Sequence, residues 1–315
     1  MCWAEWVYCP RRRALTGEGE HLKKLFNSFG DKLELCVVED LLKDGAFDKH
    51  TYSTIGNTDY QTKDYIKPAV HGTVGILESA RKFGDKVKHI VIMSSISAIH
   101  HSEIRHGPVT FDETTWNNEA IQAVQEKGKE IPPLTLYSAS KALAEKAAWD
   151  FYEKHKSEIQ WDVTTVHPSL EPLQESPKAP SDLNISMLII WNVIATEMPD
   201  EQLKNSLNLV HAQDVANAHV LALRKEKAGG ERIILSSTPV TCQQIRNIAH
   251  SLRPELYTSG ILPRGKPDLD ATIQFIFNGE KAEKILGLKY ASPEKVISDC
   301  LAYFEGRGWL EKINA

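Results

Sequence analysis

The stretch His89-Ile-Val-Ile-Met-Ser-Ser95 decides the fold. It is a continuous apolar run of strand length that ends in two small polar residues, the pattern of a short buried parallel strand. Ligands of open α/β sheets bind beyond the carboxyl ends of the strands, so Ser94 and Ser95 stand where a site would be. A second stretch, Tyr137-Ser-Ala-Ser-Lys141, follows some forty residues on. Tyr137 and Lys141 are spaced i, i+4, so on a helix they share one face. Residues Ser138 to His155 are rich in Ala, Lys, Glu and Leu, which favours helix. Pro132 and Pro133 oppose any helix before it.

Together these residues suit proton transfer at a carbonyl oxygen. A free tyrosine titrates near pH 10, too high for an efficient acid or base at neutral pH. A neighbouring ammonium favours the phenolate and lowers that value, a role for Lys141. Ser95 would hydrogen-bond the carbonyl oxygen and hold it for a proton from Tyr137. Each element alone has a plainer reading. A Tyr-x-x-x-Lys spacing arises often by chance, and a Ser-Ser pair at a strand end is usually a turn. The joint order, strand first and helix later, favours the chemical reading.

Working outward, Leu33-Glu-Leu-Cys-Val-Val38 reads as a strand ending at Glu39-Asp40. Asp64 to Phe83 reads as a helix with Gly84 as its stop and Pro68 in its tolerant first turns. Asp162 to His167 is a further strand, ended by Pro168. Glu171 to Asp182, with three prolines, reads as a loop. Asp214 to Leu223 reads as a helix with Asp214 as its N-cap. Arg232 to Ser237 is another strand, and Pro293 to Glu305 another helix. Strands alternating with helices predict an α/β fold with a largely parallel sheet. The segments 170–207 and 240–315 predict a smaller lobe.

The chain has 315 residues, 42% hydrophobic and 25% charged, with a net charge of -5. That is ordinary for a globular protein with a full core. Nucleic acid is not an expected partner, because Arg11-Arg12-Arg13 is the one basic cluster. Five cysteines, at 2, 9, 36, 242 and 300, form no framework and predict reduced thiols in the cytoplasm. No metal site is expected: Cys2 and Cys9 lack a second pair. His100, His101 and His106 sit in a loop with no Asp, Glu or Cys at ligand spacing. The longest apolar run, Ile185 to Ile194, is too short to span a bilayer. The opening residues lack a signal-peptide layout. Trp116 reads as a loop anchor, with a substrate-facing role as the sharper alternative.

Several stretches resemble the extended short-chain dehydrogenase/reductases of the NAD-dependent epimerase/dehydratase superfamily. They are Val38 to Asp48, Tyr65 to Thr73, Ile90 to Ser95, Phe111 to Trp116, Tyr137 to Glu145 and His211 to His219. The nearest likeness is to the branch of dihydroflavonol reductases, cinnamoyl-CoA reductases and fungal methylglyoxal/aldehyde reductases. The resemblance implies a Rossmann-type fold and reduction of an aldehyde or ketone with NADP(H), NAD being the alternate cofactor. It places the catalytic residues on Ser95, Tyr137 and Lys141. It also places cofactor contacts on Asp40 and Leu41 at the adenine, on Pro168 beside the nicotinamide, and on Tyr137 and Lys141. Residues 1–170 would form the dinucleotide-binding part and 171–315 mainly the substrate lobe, with 208–237 returning to the former. The implied protein is a monomer or homodimer with a small carbonyl substrate and no membrane partner.

Three departures qualify the likeness. The family opens on a strand and a Gly-x-x-Gly-x-x-Gly loop whose amides hold the pyrophosphate. Here the matching place holds Thr16-Gly-Glu-Gly19, where Glu18 would repel phosphate. Between Phe47 and Asp64 an expected apolar strand is replaced by polar residues, Lys49 to Tyr60. The turn after Pro168 is shortened to Ser169-Leu-Glu-Pro172. These predict an incomplete sheet, with Trp6 to Cys9 as a short substitute strand, in a truncated or mis-spliced version of an active reductase. A transcript that reads through these junctions would refute that origin. Two other functions stay open: a non-catalytic relative that has lost cofactor binding, and an epimerase, dehydratase or hydroxysteroid dehydrogenase of the same fold.

Overall fold

The computed structural model describes residues 27–28, 40, 42–48, 66–100, 108–128, 131–172 and 179–311. The expectations for Trp6–Cys9, Thr16–Gly19, Leu33–Val38, Leu41 and Lys49–Tyr60 fall outside them, as do Cys2, Cys9, Cys36, His101 and His106. The chain divides into two compact units, Met1–Ile90 with Trp116–Val163, and Val91–Thr115 with Thr164–Ala315.

Among the described residues, the first unit holds the helices α1 (Ile66–Phe83), α2 (Asn118–Lys127) and α3 (Pro133–His155). α1 ends where the sequence predicts. A side chain at Gly84 would put its Cβ 2.3 Å from the Ala80 carbonyl oxygen, the acceptor of the Gly84 N–H. α1 and α3 pack against each other, burying Leu77, Ser79 and Ala80 of the first and Ala139, Ala142 and Ala148 of the second. Such small residues let helix backbones approach closely. Phe47 fills the space that a side chain at Gly75 would need. Asn117 caps α2, its Oδ1 accepting from Ala120 N–H at 3.0 Å.

The parallel strands are β1 (His89–Met93), β3 (Asp162–Pro168) and β5 (Arg232–Leu235), in the spatial order β1-β3-β5. The division between units cuts β1 after Ile90 and β3 after Val163. β3 matches its expectation and is buried from Val163 on. β1 corrects one: its residues are half-buried and Met93 is 41% exposed. Among the described strands, β1 ends the order and has a partner on one side only.

In the second unit, β5 alternates its side chains with period two. Ile233 and Leu235 join Val166 against α6 (Ala212–Ala222) and α9 (Glu280–Leu286). Ile234 turns the other way, onto Ile99, Phe111 and Phe277. Phe111 and Phe277 belong to β2 (Val109–Phe111) and β7 (Phe275–Phe277), a parallel pair, and β4 (Ser206–Asn208) pairs antiparallel with β6 (Pro239–Thr241). The outer edge of β5 is occupied by side chains. Ile234 N–H donates to Glu113 Oε1 at 3.1 Å, and Tyr290 Oη donates to Ile234 O at 3.3 Å. Arg232 Nη1 donates to the carbonyls of Glu113 and Thr115.

Among the described residues, an extended core lies among α4 (Ile185–Ala195), α7 (Cys242–Leu252) and α10 (Pro293–Gly306), with the short α5 (Asp200–Leu203) and α8 (Pro254–Thr258) between them in the chain; Met187, Ile190, Ile194, Ile245, Ile297, Leu301 and Phe304 are fully or almost fully buried. Arg246 of α7 is fully enclosed and closes the end of α4, its Nε donating to Val193 O at 2.7 Å and its Nη2 to Thr196 O.

Two helix readings are corrected. α6 begins at Ala212, and its N-cap is His211, whose Nδ1 accepts from Gln213 N–H at 3.1 Å. Asp214 lies inside the first turn and is buried, its Oδ2 accepting from Ala291 N–H at 2.8 Å. The competing demand of a distant backbone amide took the carboxylate from the cap. α3 starts at Pro133 itself, in the first-turn position where proline lacks nothing a helix needs. Tyr137 therefore lies within the helix.

Candidate active site

Ser95 follows β1 by two residues in extended backbone, with φ −164° and ψ 153°. It caps the short turn of helix Ile96–Ala98, its Oγ accepting from Ser97 N–H at 3.1 Å. The bond has a chemical consequence. With its oxygen occupied as an acceptor, the hydroxyl can still donate its proton to a carbonyl oxygen. Ser94, before it, is buried, and its N–H donates to Val166 O at 2.8 Å.

Tyr137 and Lys141 come together on α3. The Lys141 Nζ lies 5.8 Å from the centre of the Tyr137 ring, within reach of a cation–π contact. Both are half-buried, between the enclosed Ala139, Ser140 and Ala142 and the exposed side of the helix. Ser140 Oγ donates to Tyr137 O at 2.7 Å, one turn back. The Tyr/Lys pair thus stands on a helix whose other face is fixed by packing. Ser95 belongs to the second unit and the Tyr/Lys pair to the first.

Asp40 is exposed and begins a turn, its Oδ1 accepting from Leu42 N–H at 2.9 Å. Leu41 lies outside the described residues. Pro168 is the last residue of β3, buried and in register with Leu235 of β5. Trp116 has the Lys146 ammonium over its ring at 5.1 Å.

One polar group passed over in the sequence lies next to Pro168. Ser169 Oγ is buried and has no hydrogen-bond partner among the described residues. The signal that could have found it is its place, the first residue past a parallel strand, which Ser94 and Ser236 share. An orphaned hydroxyl at a strand's carboxyl end stands where open α/β sheets take their ligands, so the residues present fit a bound dinucleotide. The stretch expected to meet the pyrophosphate lies outside the described residues. Among the described residues, no cluster of His, Cys, Asp or Glu is placed to hold a metal ion, and no helix is long and apolar enough to cross a membrane.

Residues 38–235 match the NAD dependent epimerase/dehydratase family, and the chain belongs to that family. Its α/β architecture, with the parallel sheet and helices described above, is the Rossmann type of its structural neighbours. It is similar to the NADPH-dependent methylglyoxal reductase of Saccharomyces cerevisiae, at 29% identity over 91% of this chain and 90% of that protein. It is also 28% identical to tetraketide alpha-pyrone reductase 1 of Arabidopsis thaliana, over 94% of this chain and 87% of the relative. Among solved structures it resembles the yeast methylglyoxal/isovaleraldehyde reductase complexed with NADPH. That likeness has a TM-score of 0.78 and 25% identity, covering 96% of this chain and 99% of the other.

Proposed function

We propose that this chain is an NADPH-dependent oxidoreductase that reduces an aldehyde or ketone to an alcohol. The observation that carries the reading is the Tyr137/Lys141 pair, with the ammonium 5.8 Å from the ring on one helix. The relatives add support, since those named above are reductases and two of them are named with NADPH.

NADPH, when bound, supplies the hydride. The remaining work falls to the chain. Tyr137 gives its phenolic proton to the carbonyl oxygen as negative charge gathers there. Lys141 stabilises the negative charge left on the Tyr137 oxygen and would hold the nicotinamide ribose. Ser95 keeps a proton to donate to a carbonyl oxygen, its own oxygen tied down by Ser97 N–H. Pro168 would serve the nicotinamide and Asp40 the adenine, together with Leu41 as the resemblance implies. Residues 1–170 and 208–237 serve mainly the cofactor, and the rest of 171–315 the substrate. Scattered cysteines, of which Cys242 and Cys300 are free and buried, support a cytoplasmic setting.

The test is NADPH oxidation with a panel of aldehydes and ketones, beside a thermal melt with and without NADPH. The expected result is turnover of at least one carbonyl and a melting temperature raised by the cofactor. Tyr137→Phe should lower kcat by about 10²–10⁴-fold, because it deletes the proton donor and keeps the ring. Full activity in that variant would refute the assignment. A cooperative melt indifferent to NADPH would favour the non-catalytic relative.

A further inference from the structure

A shallow pocket of about 290 Å³ opens on the second unit, between the outer face of α6 and the turn that follows α9. It is lined by Asn217, Val220, Leu221, Gly287, Leu288 and Lys289. Asn217, Val220 and Leu221 share one helix face by their i, i+3, i+4 spacing. The other wall follows from how α9 ends. Gly287 stands in left-handed backbone, with φ 71° and ψ 25°. Its N–H donates to Glu283 O at 3.0 Å, and Leu288 N–H donates to Ala282 O at 3.4 Å. That reversal buries Leu288 and leaves Lys289 exposed. Nothing lies within 4 Å of where a Cβ at Gly287 would be, so the mouth is open there.

The lining offers donors and no acid. Asn217 Oδ1 already accepts from Gln213 Nε2 at 3.2 Å, so the amide nitrogen is its free end. That nitrogen and the Lys289 ammonium have no hydrogen-bond or ion-pair partner among the described residues. None of the lining side chains carries a carboxylate. Two donors, one of them charged, ask for a small anion. Charge alone holds little at an exposed place, where an ion pair is worth less than in a buried one. The rest of the affinity falls to Val220, Leu221 and Leu288, an apolar wall that an inorganic anion would leave in water. The volume is small for a ligand pocket, so the apolar part of the ligand must be short.

We propose that this pocket binds a small amphipathic carboxylate, its head between Lys289 and the Asn217 amide and its short aliphatic tail on Val220, Leu221 and Leu288. The site shares no residue with the set of Ser95, Tyr137 and Lys141. It stands whether or not the chain reduces a carbonyl.

Amide NMR titrations of the full chain test it, with hexanoate, acetate and hexylammonium as probes. Hexanoate should shift the Asn217, Leu221, Gly287 and Lys289 amides saturably, in one binding step. Acetate should bind more weakly, by up to about fourfold for each methylene it lacks. Hexylammonium has the same tail and the opposite charge, and should give no saturable shift there. Lys289→Met removes the charge and keeps an apolar stem. It should weaken hexanoate about two- to fivefold, the worth of an exposed ion pair. Its melting temperature should match the wild type's, because the residue is exposed. The proposal is overturned if hexanoate leaves those amides unmoved, if hexylammonium shifts them equally, or if Lys289→Met binds hexanoate as the wild type does. Acetate that binds as tightly as hexanoate also overturns it, since the apolar wall would then contribute nothing. NADPH binding and turnover enter none of these readouts, so failure here leaves the reductase reading untouched.

Discussion

Gly279→Ala should be among the most damaging single-methyl additions in the second unit. Gly279 precedes α9 with φ −86° and ψ 1°, a conformation any residue adopts, so backbone strain is not the issue. Space is. A Cβ there would lie 2.2 Å from the Ser236 carbonyl oxygen and 2.8 Å from the Tyr290 hydroxyl. The carbonyl is backbone at the end of β5 and cannot swing aside as a flexible side chain would. It must retreat by at least about 0.8 Å, the gap between 2.2 Å and the 3.0 Å below which such contacts essentially do not occur. Overpacking of this kind costs about 1–3 kcal/mol. The single Tyr290 Oη proton is also shared between Gly279 O at 3.2 Å and Ile234 O at 3.3 Å, and this three-centre bond would stretch. Burial pushes the Tyr290 phenol well above its ordinary range, so it stays a donor at any working pH. That one weakened bond, at roughly 0.5–1.5 kcal/mol, brings the loss to about 1.5–4.5 kcal/mol. That is a large share of a typical total of about 5–15 kcal/mol. Urea unfolding read by tryptophan fluorescence would measure it as a lower midpoint at constant slope. Gly306→Ala is the control. Its Cβ meets open space at the end of α10, so a change within about 0.5 kcal/mol is expected. A Gly279→Ala loss below about 1 kcal/mol, or one equal to the control's, would refute the reasoning.

Asp214→Ala should cost about 2–3 kcal/mol, because it leaves the Ala291 amide without the carboxylate it meets at 2.8 Å. Asp214→Asn keeps an acceptor oxygen and should recover more than half of that; a loss under about 0.5 kcal/mol for the alanine variant would sink the claim. His219 is the pH-sensitive group. Burial holds its imidazole below the ordinary histidine range, although the bond to Val215 O at 2.8 Å pulls the other way. The unfolded chain therefore binds the proton first. Stability is whole above about pH 6.5 and falls as pH drops from there through the folded-state value, with a slope of at most about 1.4 kcal/mol per pH unit. His219→Gln should flatten that fall in urea titrations between pH 7 and 5. Parallel curves for the two proteins would show that His219 is not the group.

What the sequence revealed follows from where its signals are local. The strand before Ser95, the Tyr137/Lys141 helix and the stop at Gly84 are each written in a few adjacent residues, and each is found. Signals that depend on distant partners were misread. Asp214 has the composition of a cap but serves Ala291, seventy-seven residues away. Ile185 to Ile194 drew attention only as a run too short for a membrane. It forms α4, whose apolar residues ring the helix and give no periodic stripe. Met93 reads as core by type, yet it is 41% exposed. Ser169 was legible as a turn residue, and its unmatched hydroxyl emerges only once β5 is laid beside β3. The local places of Ser95 and Tyr137 were both legible because each sits at the end or on one face of a single element.

The side chains along β5 bear on how this protein behaves at high concentration. An open strand edge offers a ladder of vacant amides and carbonyls on which a foreign strand can dock, the first step toward aggregates. At Ile234 both rungs are taken, the amide by Glu113 and the carbonyl by Tyr290, and the Arg232 guanidinium pins the Glu113 segment in place. Among the described residues, this edge of the sheet is closed by side chains. A neighbouring molecule would have to strip away a carboxylate, a phenol and a guanidinium before it could add a strand there, which gives this edge a built-in resistance to edge-to-edge growth.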